Sequence, residues 1–364
     1  MSLKFTPHLR FCNPEVAERH IMTRIKAKSA DAQIADTLVT HLQAYFVQAL
    51  DQLSKEIGQN SAFEAVEWFR NKGEFGGGVR YVATDESLFN RASVNVSQVQ
   101  YDNDDTKQLA SATALSTIIH PNNPHAPSIH MHISWTEMKN GKGYWRMMAD
   151  LNPSIYNEED KKTFDTVLEK SAPEFYAEAS AQGDKYFYIP ALQRHRGVSH
   201  FYLENFNTGN KIEDKEMAQR LGENVIDAYV KIIKEAIVNN TQISAEDRAE
   251  QLAYHTLYLF QVLTLDRGTT SGLLVHNEND VGILGSIPSH VNKELLLSWK
   301  AKMPSGQEEL LEVIAACLDE SGSVEEEQKA ALAQAVREFY MKNPEALKMQ
   351  ASGDVSVPTV QNHK

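Results

Sequence analysis

The sequence predicts a mixed protein of the α+β class, and three observations support this prediction. Helical patterns of apolar residues occupy the N-terminal region and most of the chain beyond residue 155. Residues 75–135 instead have the composition of short strands joined by turns. The strand-rich segments are separated by helices of varied length, and the chain has no internal repeat, which favours α+β over a regular alternation of strand and helix.

The first predicted helix covers residues 33–57, where apolar residues recur at helical spacing on one stripe. That stripe consists of Leu38, Leu42, Phe46 and Leu50. A second helical pattern covers residues 158–181 and begins with an acidic turn that suits the helix dipole. Pro173 interrupts this pattern, because proline has no backbone N–H to donate inside a helix.

The next part of the chain alternates between strand-like and helical patterns. Residues 184–206 have a strand-like composition. Two amphipathic helices are predicted over residues 213–238 and 245–262, the second with Ser244 as its N-cap. Strand-like composition returns over residues 271–287.

The C-terminal region differs from the rest and divides the chain into three parts. Residues 308–318 and 324–340 predict two acidic helices, and residues 351–364 are expected to be disordered. We therefore separate a main domain, residues 1–303, from a helical extension, residues 304–350, and the tail. The helical pair is expected to be a solvated cap on the domain or on a dimer, with a regulatory or partner-docking role as the alternative.

Composition limits the classes of function. The net charge of −13 weighs against a general nucleic-acid role, since phosphate binding needs a basic face. The two cysteines, Cys12 and Cys317, offer no disulfide framework and no Cys-x-x-Cys metal site. Residues 1–14 lack the apolar core of a targeting signal, and no stretch reaches membrane-spanning length. We therefore expect a cytoplasmic protein with neither nucleic acid nor a membrane as its partner.

The most informative segment is residues 128–135, where apolar and polar residues alternate as in a half-buried strand. Successive side chains of a strand point to opposite faces, so His130, His132 and Ser134 share one face. Imidazoles can transfer protons or bind metals near neutral pH. The residues alone leave two readings open, a metal or acid–base site and a row of hydrogen-bonded or solvated side chains.

Residues 115–135 resemble the signature of the oxygen-dependent coproporphyrinogen III oxidases. That signature is Ser-x-Val-Ile-His-Pro-x-Asn-Pro-x-x-Pro-Thr-x-His-x-Asn-x-Arg. The matching residues of this chain are Ser116, Ile118, Ile119, His120, Pro121, Asn123, Pro124, Pro127, Ser128 and His130. Several positions in one order make the resemblance specific.

Further motifs keep the family's order on both sides of this signature. They include Gly76-Gly77-Gly78, residues 89–99, Asp150-Leu151-Asn152-Pro153, Arg196-Gly197, Asp266-Arg267-Gly268-Thr269 and residues 283–288. Together the matches extend from about residue 60 to about residue 300.

The resemblance implies a large antiparallel β-sheet flanked on both faces by α-helices, in a homodimer. The implied reaction converts two propionates of coproporphyrinogen III to vinyl groups, giving protoporphyrinogen IX in haem biosynthesis. Dioxygen is then the co-substrate, carbon dioxide and hydrogen peroxide are released, and neither flavin nor haem takes part. We accordingly expect no cofactor. A divalent metal is left open, without a motif to support it.

The resemblance also implies roles for single residues. Asp150 matches the aspartate expected to lie under the pyrrole nitrogens, and His130 matches the histidine proposed as proton donor. Ser116 matches a serine that contacts the substrate. Arg196 and Arg267 lie inside family-like motifs and are expected to bind substrate carboxylates.

Other positions depart from the family pattern. His132 and Ser134, which stand where the family has Asn and Arg, are expected to contact the substrate without that arginine. The family's triple glycine becomes Arg146-Met147-Met148-Ala149, so that large side chains stand where the family has glycines without side chains. His120 matches a histidine proposed as a metal ligand in bacterial members, but a turn histidine satisfied by backbone groups is the alternative, and no metal ligand is assigned.

These departures leave two other functions open. In the first, the fold is retained and the protein binds or modifies another tetrapyrrole, haem or porphyrin, without this turnover. His132, His200 and the pair Met147-Met148 would then pack against or ligate the macrocycle. In the second, His130, His132 and Asp150 form a metal-dependent hydrolase, although the rest of such a site is not recognisable.

Overall fold

Seven strands form one antiparallel sheet in a computed structural model that describes residues 23–59, 61–276 and 279–353. In spatial order the strands are β1 (Phe63–Phe69), β2 (Gly76–Ala83), β3 (Phe89–Gln100), β4 (Leu109–Pro121), β5 (Ser128–Met138), β6 (Gly143–Asn152) and β9 (Ser199–Phe206). A separate ribbon pairs β7 (Tyr188–Ile189) with β8 (Arg194–His195). All neighbours in the large sheet run antiparallel, which confirms the predicted α+β class.

Helices cover both faces of this sheet, as predicted. They are α1 (Ala30–Glu56), α2 (Glu158–Ser171), α3 (Tyr176–Phe187), α4 (Lys211–Asn239), α5 (Ala245–Thr264), α6 (Arg267–Val275), α7 (Asp280–Ile283), α8 (Lys293–Ser298), α9 (Glu308–Ala316) and α10 (Glu326–Lys342). The predicted break at Pro173 is confirmed, since α2 ends before it and α3 begins after it.

The first face packs against α1, α2 and α4. Every residue of the stripe predicted in α1 is buried there against apolar side chains of the central strands. Strand β4 explains the division between the faces, because Leu115 and Ile119 are buried in this core, whereas Ser116 and Ile118 point the other way and remain partly exposed. One face of the sheet is therefore packed into a closed apolar core, and the polar side chains lie on the opposite face.

The C-terminal helices form a second core beyond the opposite face. In α9 and α10 the side chains of Leu310, Ile314, Leu332 and Val336 are at most 1% exposed. They belong to one apolar cluster with residues of α5, α6 and α8. The two predicted acidic helices are thus present, and their apolar sides pack against the helices that cover the site.

One prediction of strand was wrong, and another was confirmed only in part. The described part of residues 271–287 contains the end of α6 and all of α7 instead, and the side chain of Asp266 caps α6 by accepting the backbone N–H of Thr269. A short apolar run cannot be assigned to strand or helix by periodicity alone. Within residues 184–206, Tyr186 and Phe187 complete α3, and only the ribbon and β9 are extended.

Some predictions fall on positions that are not described. These include residues 1–14 with Cys12, and residues 354–364 of the predicted disordered tail. Ala351 is described and donates its backbone N–H to the carbonyl oxygen of Leu265 at 2.9 Å. Cys317 is a free, partly buried thiol. Among the described helices, none combines the length and apolar character needed to cross a membrane.

The N-cap of α5 provides a test of the fold. Ser244 accepts the N–H of Asp247, whose side chain accepts the N–H of Ser244 in return. We expect Ser244→Ala to lower the free energy of unfolding by about 1 kcal/mol, measured by urea denaturation. Exposed Ser305→Ala is the control and should change this free energy by less than about 0.5 kcal/mol. Equal effects of the two variants would show that the cap does not stabilise α5.

Candidate active site

The polar face of the central strands brings the predicted residues together. Directly opposed residues of an antiparallel pair lie on the same face of the sheet. The register places Ser116 of β4 opposite His132 of β5, and His130 of β5 opposite Asp150 of β6. These four residues therefore form one patch.

A cleft separates this patch from the helices above it. Its first part is a cavity of about 240 Å³, lined by residues of β3 to β6 and of α5, α6 and α7. Four of the predicted residues line it, namely Ser116, His130, His132 and Arg196. An adjoining cavity of about 220 Å³ shares seven lining residues with the first, among them His132 and Arg146, and adds Ser134 and Glu204.

A buried ion pair lies beneath the first cavity. The guanidinium of Arg196 donates from Nη2 to Oδ2 of Asp150 at 2.8 Å and from Nη1 to Oε1 of Gln261, on α5, at 2.6 Å. Asn152 donates to the same Oδ2 at 2.6 Å. The other carboxylate oxygen, Oδ1, lies 2.9 Å from Nδ1 of His130. Asp150 has no exposed surface, so it is linked to the cavity through His130 and Arg196.

The charges around Asp150 keep it ionised. Burial by itself would raise its pKa, but Arg196 and His130 outweigh burial and lower the pKa to about 2. An ionised carboxylate can only accept hydrogen bonds, so Nδ1 of His130 must carry the hydrogen. The Nε2 atom of His130 is then the ring nitrogen that can take up a proton.

His132 is held in a different state. Its Nε2 lies 2.9 Å from Oγ of Ser134. Burial lowers the pKa of His132 well below its usual value, and Arg146 and His130 lower it further. His132 is therefore neutral at pH 7 and provides a hydrogen-bonding group without charge.

Comparison with known proteins identifies the family of this chain. The model of the family described as coproporphyrinogen III oxidase matches residues 34–319. The chain belongs to the coproporphyrinogen III oxidase family. It is 27% identical over 296 residues to the oxygen-dependent coproporphyrinogen-III oxidase of Drosophila melanogaster, covering 75% of this chain and 74% of that protein.

Mammalian members of the family are similarly distant. The human mitochondrial oxygen-dependent coproporphyrinogen-III oxidase is 27% identical over 304 residues, which cover 77% of this chain and 65% of the human protein. The mitochondrial enzyme of Rattus norvegicus is 26% identical over 307 residues, which cover 77% of this chain and 68% of the rat protein. The residues matched by the family model, 34–319, include all seven strands of the large sheet and the helices α5, α6 and α7 that cover the cleft.

Arg267 lies in a family motif, but its guanidinium is already paired. Its Nη2 donates to both carboxylate oxygens of Glu204, at 2.8 and 2.7 Å, and to the hydroxyl of Tyr202 at 3.2 Å. Arg267 is not among the described residues that line the two cavities. The expected role in carboxylate binding would therefore require Arg267 to leave Glu204.

His120 occupies a closed, aromatic environment. Its side chain is fully buried beside the rings of Tyr254, His255 and Tyr258, and its Nδ1 lies 2.8 Å from Oγ of Ser128. Burial lowers the pKa of His120 well below its usual value. Within the described part of the chain, no group of three or more His, Cys, Asp or Glu side chains is arranged to hold a metal ion.

The cleft contains polar residues that the sequence did not single out as site residues. The first cavity is also lined by Trp68, Asn95, Arg146, Tyr258 and Asp266. Asn95 and Asp266 lie inside family-like motifs and could have been identified from them. Tyr258 could not, because its position in an apolar helix gives no sign that it faces the cleft.

The pairing of Asp150 with Arg196 predicts a defined dependence of stability on pH. The pKa of Asp150 is lower in the folded protein than in an unfolded chain, so its contribution is complete above about pH 4 and disappears as the pH falls through about 2. In Asp150→Asn the positive charge of Arg196 has lost the carboxylate of Asp150 at every pH. We expect the difference in unfolding free energy between wild type and Asp150→Asn to shrink by about 1–2 kcal/mol between pH 6 and pH 2.5.

Urea denaturation at several pH values measures this difference. The matched control is Asp105→Asn, because the side chain of Asp105 is fully exposed. A difference for Asp150→Asn that stays constant over this range would contradict the assignment of an ionised, paired Asp150.

Proposed function

We propose that the protein is an oxygen-dependent coproporphyrinogen III oxidase that forms protoporphyrinogen IX in haem biosynthesis. The observation that carries this proposal is the cleft in which the buried pair of Asp150 and Arg196 holds His130 at a polar sheet face. The names of the relatives support the same reaction. The substrate would be a tetrapyrrole that carries four carboxylates.

The proposed reaction balances for each propionate. The carboxyl carbon leaves as carbon dioxide, and the two electrons of the broken carbon–carbon bond form the double bond of the vinyl group. The carbon next to the pyrrole loses a hydride. The hydrogen and two electrons of this hydride, with one further proton from the carboxyl group or from solvent, pass to dioxygen, which leaves as hydrogen peroxide.

His130 is the proposed proton-transfer residue. Asp150 fixes its Nδ1–H, so that Nε2 can exchange a proton with the substrate. Asp150 itself is buried behind His130, and we therefore assign it a positioning role instead of direct contact with the pyrrole nitrogens. Arg196 holds Asp150 and also lines the cavity, where it could bind a propionate.

The remaining expectations belong to the same proposal. Ser116, His132 and Ser134 line the cleft and would contact the macrocycle or its carboxylates. No organic cofactor is proposed, because dioxygen is the oxidant. A homodimer is proposed from the resemblance, and exposed Ile34 and Ile212 on α1 and α4 are apolar surface that such a contact could cover.

We propose the cytoplasm as the location because the cysteine usage fits a reducing compartment. The human and rat relatives are named as mitochondrial. Cell fractionation with an antibody against the chain would decide between the two compartments.

One observation favours the second candidate function. Met148 and Arg146 occupy the sheet face where the family pattern has glycines, and both line the first cavity. They could hold a tetrapyrrole that is not turned over. Tight binding of haem or a porphyrin, without conversion of coproporphyrinogen III, would support this candidate.

The main experiment is an assay in air with coproporphyrinogen III, in which protoporphyrinogen IX is read by fluorescence after oxidation. We expect conversion by the wild type. His130→Gln should lower kcat by about 10²-fold to 10⁴-fold, because the proton-transfer group is removed. His41→Gln, an exposed histidine on α1, is the control and should retain full activity. Absence of conversion by the folded wild type would refute the proposed function.

The positioning role of Asp150 has its own measurement. Asp150→Asn should lower kcat with little change in KM, because an amide that can turn its NH₂ toward Nδ1 of His130 no longer fixes the orientation of the ring. A variant that only loosened the fold would weaken substrate binding and raise KM as well. A KM that rises in proportion to the fall in kcat would therefore overturn the positioning role.

A further inference from the structure

Arg146 provides a positive charge to the cleft from a strand position next to Ser134. The register of β5 and β6 places Arg146 directly opposite Ser134. Both side chains therefore lie on the same face of the sheet. Ser134 stands where the family signature has arginine, and Arg146 stands where the family has glycine. A guanidinium is thus lost on one strand and gained at the opposed position of the next.

The donors of Arg146 are poorly satisfied by the protein. Its Nε is buried and has no hydrogen-bond partner among the described residues. The nearest acidic oxygen, Oε1 of Glu204, lies 4.0 Å from that Nε, while Glu204 is already bonded twice by Arg267. Nη2 reaches the hydroxyl of Tyr186 only at 3.5 Å, at the limit of a hydrogen bond.

The surroundings of Arg146 favour an anion as the missing partner. The guanidinium carbon lies 5.3 Å from the ring centre of Tyr202 and 5.9 Å from that of Tyr186, so two aromatic rings border it. Its side chain is only 14% exposed, and it lines both cavities of the cleft. A buried guanidinium without a full set of acceptors is costly unless a ligand provides them.

We infer that Arg146 is a specificity-determining residue that binds a peripheral carboxylate of the substrate, in the space beside Ser134. This inference rests on the proposed function for the identity of the substrate. The planar fork of arginine matches a carboxylate in a two-point contact. Because Ser134 is small, it leaves room for that carboxylate, and its hydroxyl remains bonded to His132.

The test uses coproporphyrin III, the stable oxidised form with four carboxylates, and its tetramethyl ester, which carries none of the charges. Binding is measured by the change in the Soret band. Arg146→Met retains bulk without charge, and we expect it to weaken binding of the acid by about 10-fold or more while changing binding of the ester by less than about 2-fold. Arg194→Met, at an exposed arginine of β8, is the control and should change neither affinity.

A relocated arginine provides a second, independent test. Ser134→Arg combined with Arg146→Gly returns the guanidinium to the opposed position. We expect this double variant to regain most of the affinity for the acid. If Arg146→Met fails to fold, as judged by circular dichroism, the double variant and Arg146→Lys are compared with wild type by the same titration.

Two results would overturn the inference. One is an affinity for the acid that Arg146→Met leaves unchanged; the other is an equal loss for the acid and the ester. In the second set of variants, a double variant that binds the acid no more tightly than Arg146→Lys does, and no more tightly than it binds the ester, would do the same. Turnover by the wild type with binding independent of Arg146 would refute only this inference, whereas Arg146-dependent binding without turnover would refute only the proposed function.

Discussion

The ion pair between Asp150 and Arg196 is the constraint around which the site is organised. It joins the sheet to the helical layer, because Arg196 also donates to Gln261 on α5. Both charged groups are at most 2% exposed. Removing two charges from water is unfavourable unless their geometry and remaining hydrogen bonds are satisfied, and here Asn152 and His130 complete the shell of Asp150. This shell keeps the carboxylate ionised and directs His130 toward the cleft.

Two histidines on one strand therefore differ in their chemistry. His130 is bonded to a buried anion, whereas His132 is bonded to the hydroxyl of Ser134 and is neutral because of burial and nearby positive charge. Strand alternation places them on the same face, but their cross-strand neighbours differ, because His130 lies opposite Asp150 whereas His132 lies opposite Ser116 and Met148. The sheet register thus decides which histidine is paired with the buried carboxylate.

Much of the fold could be predicted from the sequence, and less of the site. The stripe of α1, the break at Pro173 and the cap at Ser244 were visible because each has a local cause in the sequence. Residues 271–287 were assigned wrongly because the cap at Asp266 was not recognised. The shared face of His130 and His132 followed from alternation. The pairing of Arg267 with Glu204 joins α6 to β9, and the cleft that Arg146 lines is completed by helices packed over the sheet. Both are long-range contacts that no local pattern encodes.

The most direct test of the account is a crystal structure of the protein with coproporphyrin III. The account predicts the macrocycle in the cleft over the sheet, with a pyrrole nitrogen within hydrogen-bond distance of Nε2 of His130 and the bond from His130 to Asp150 intact. A macrocycle bound outside the cleft, or His130 turned away from Asp150 in the complex, would contradict it.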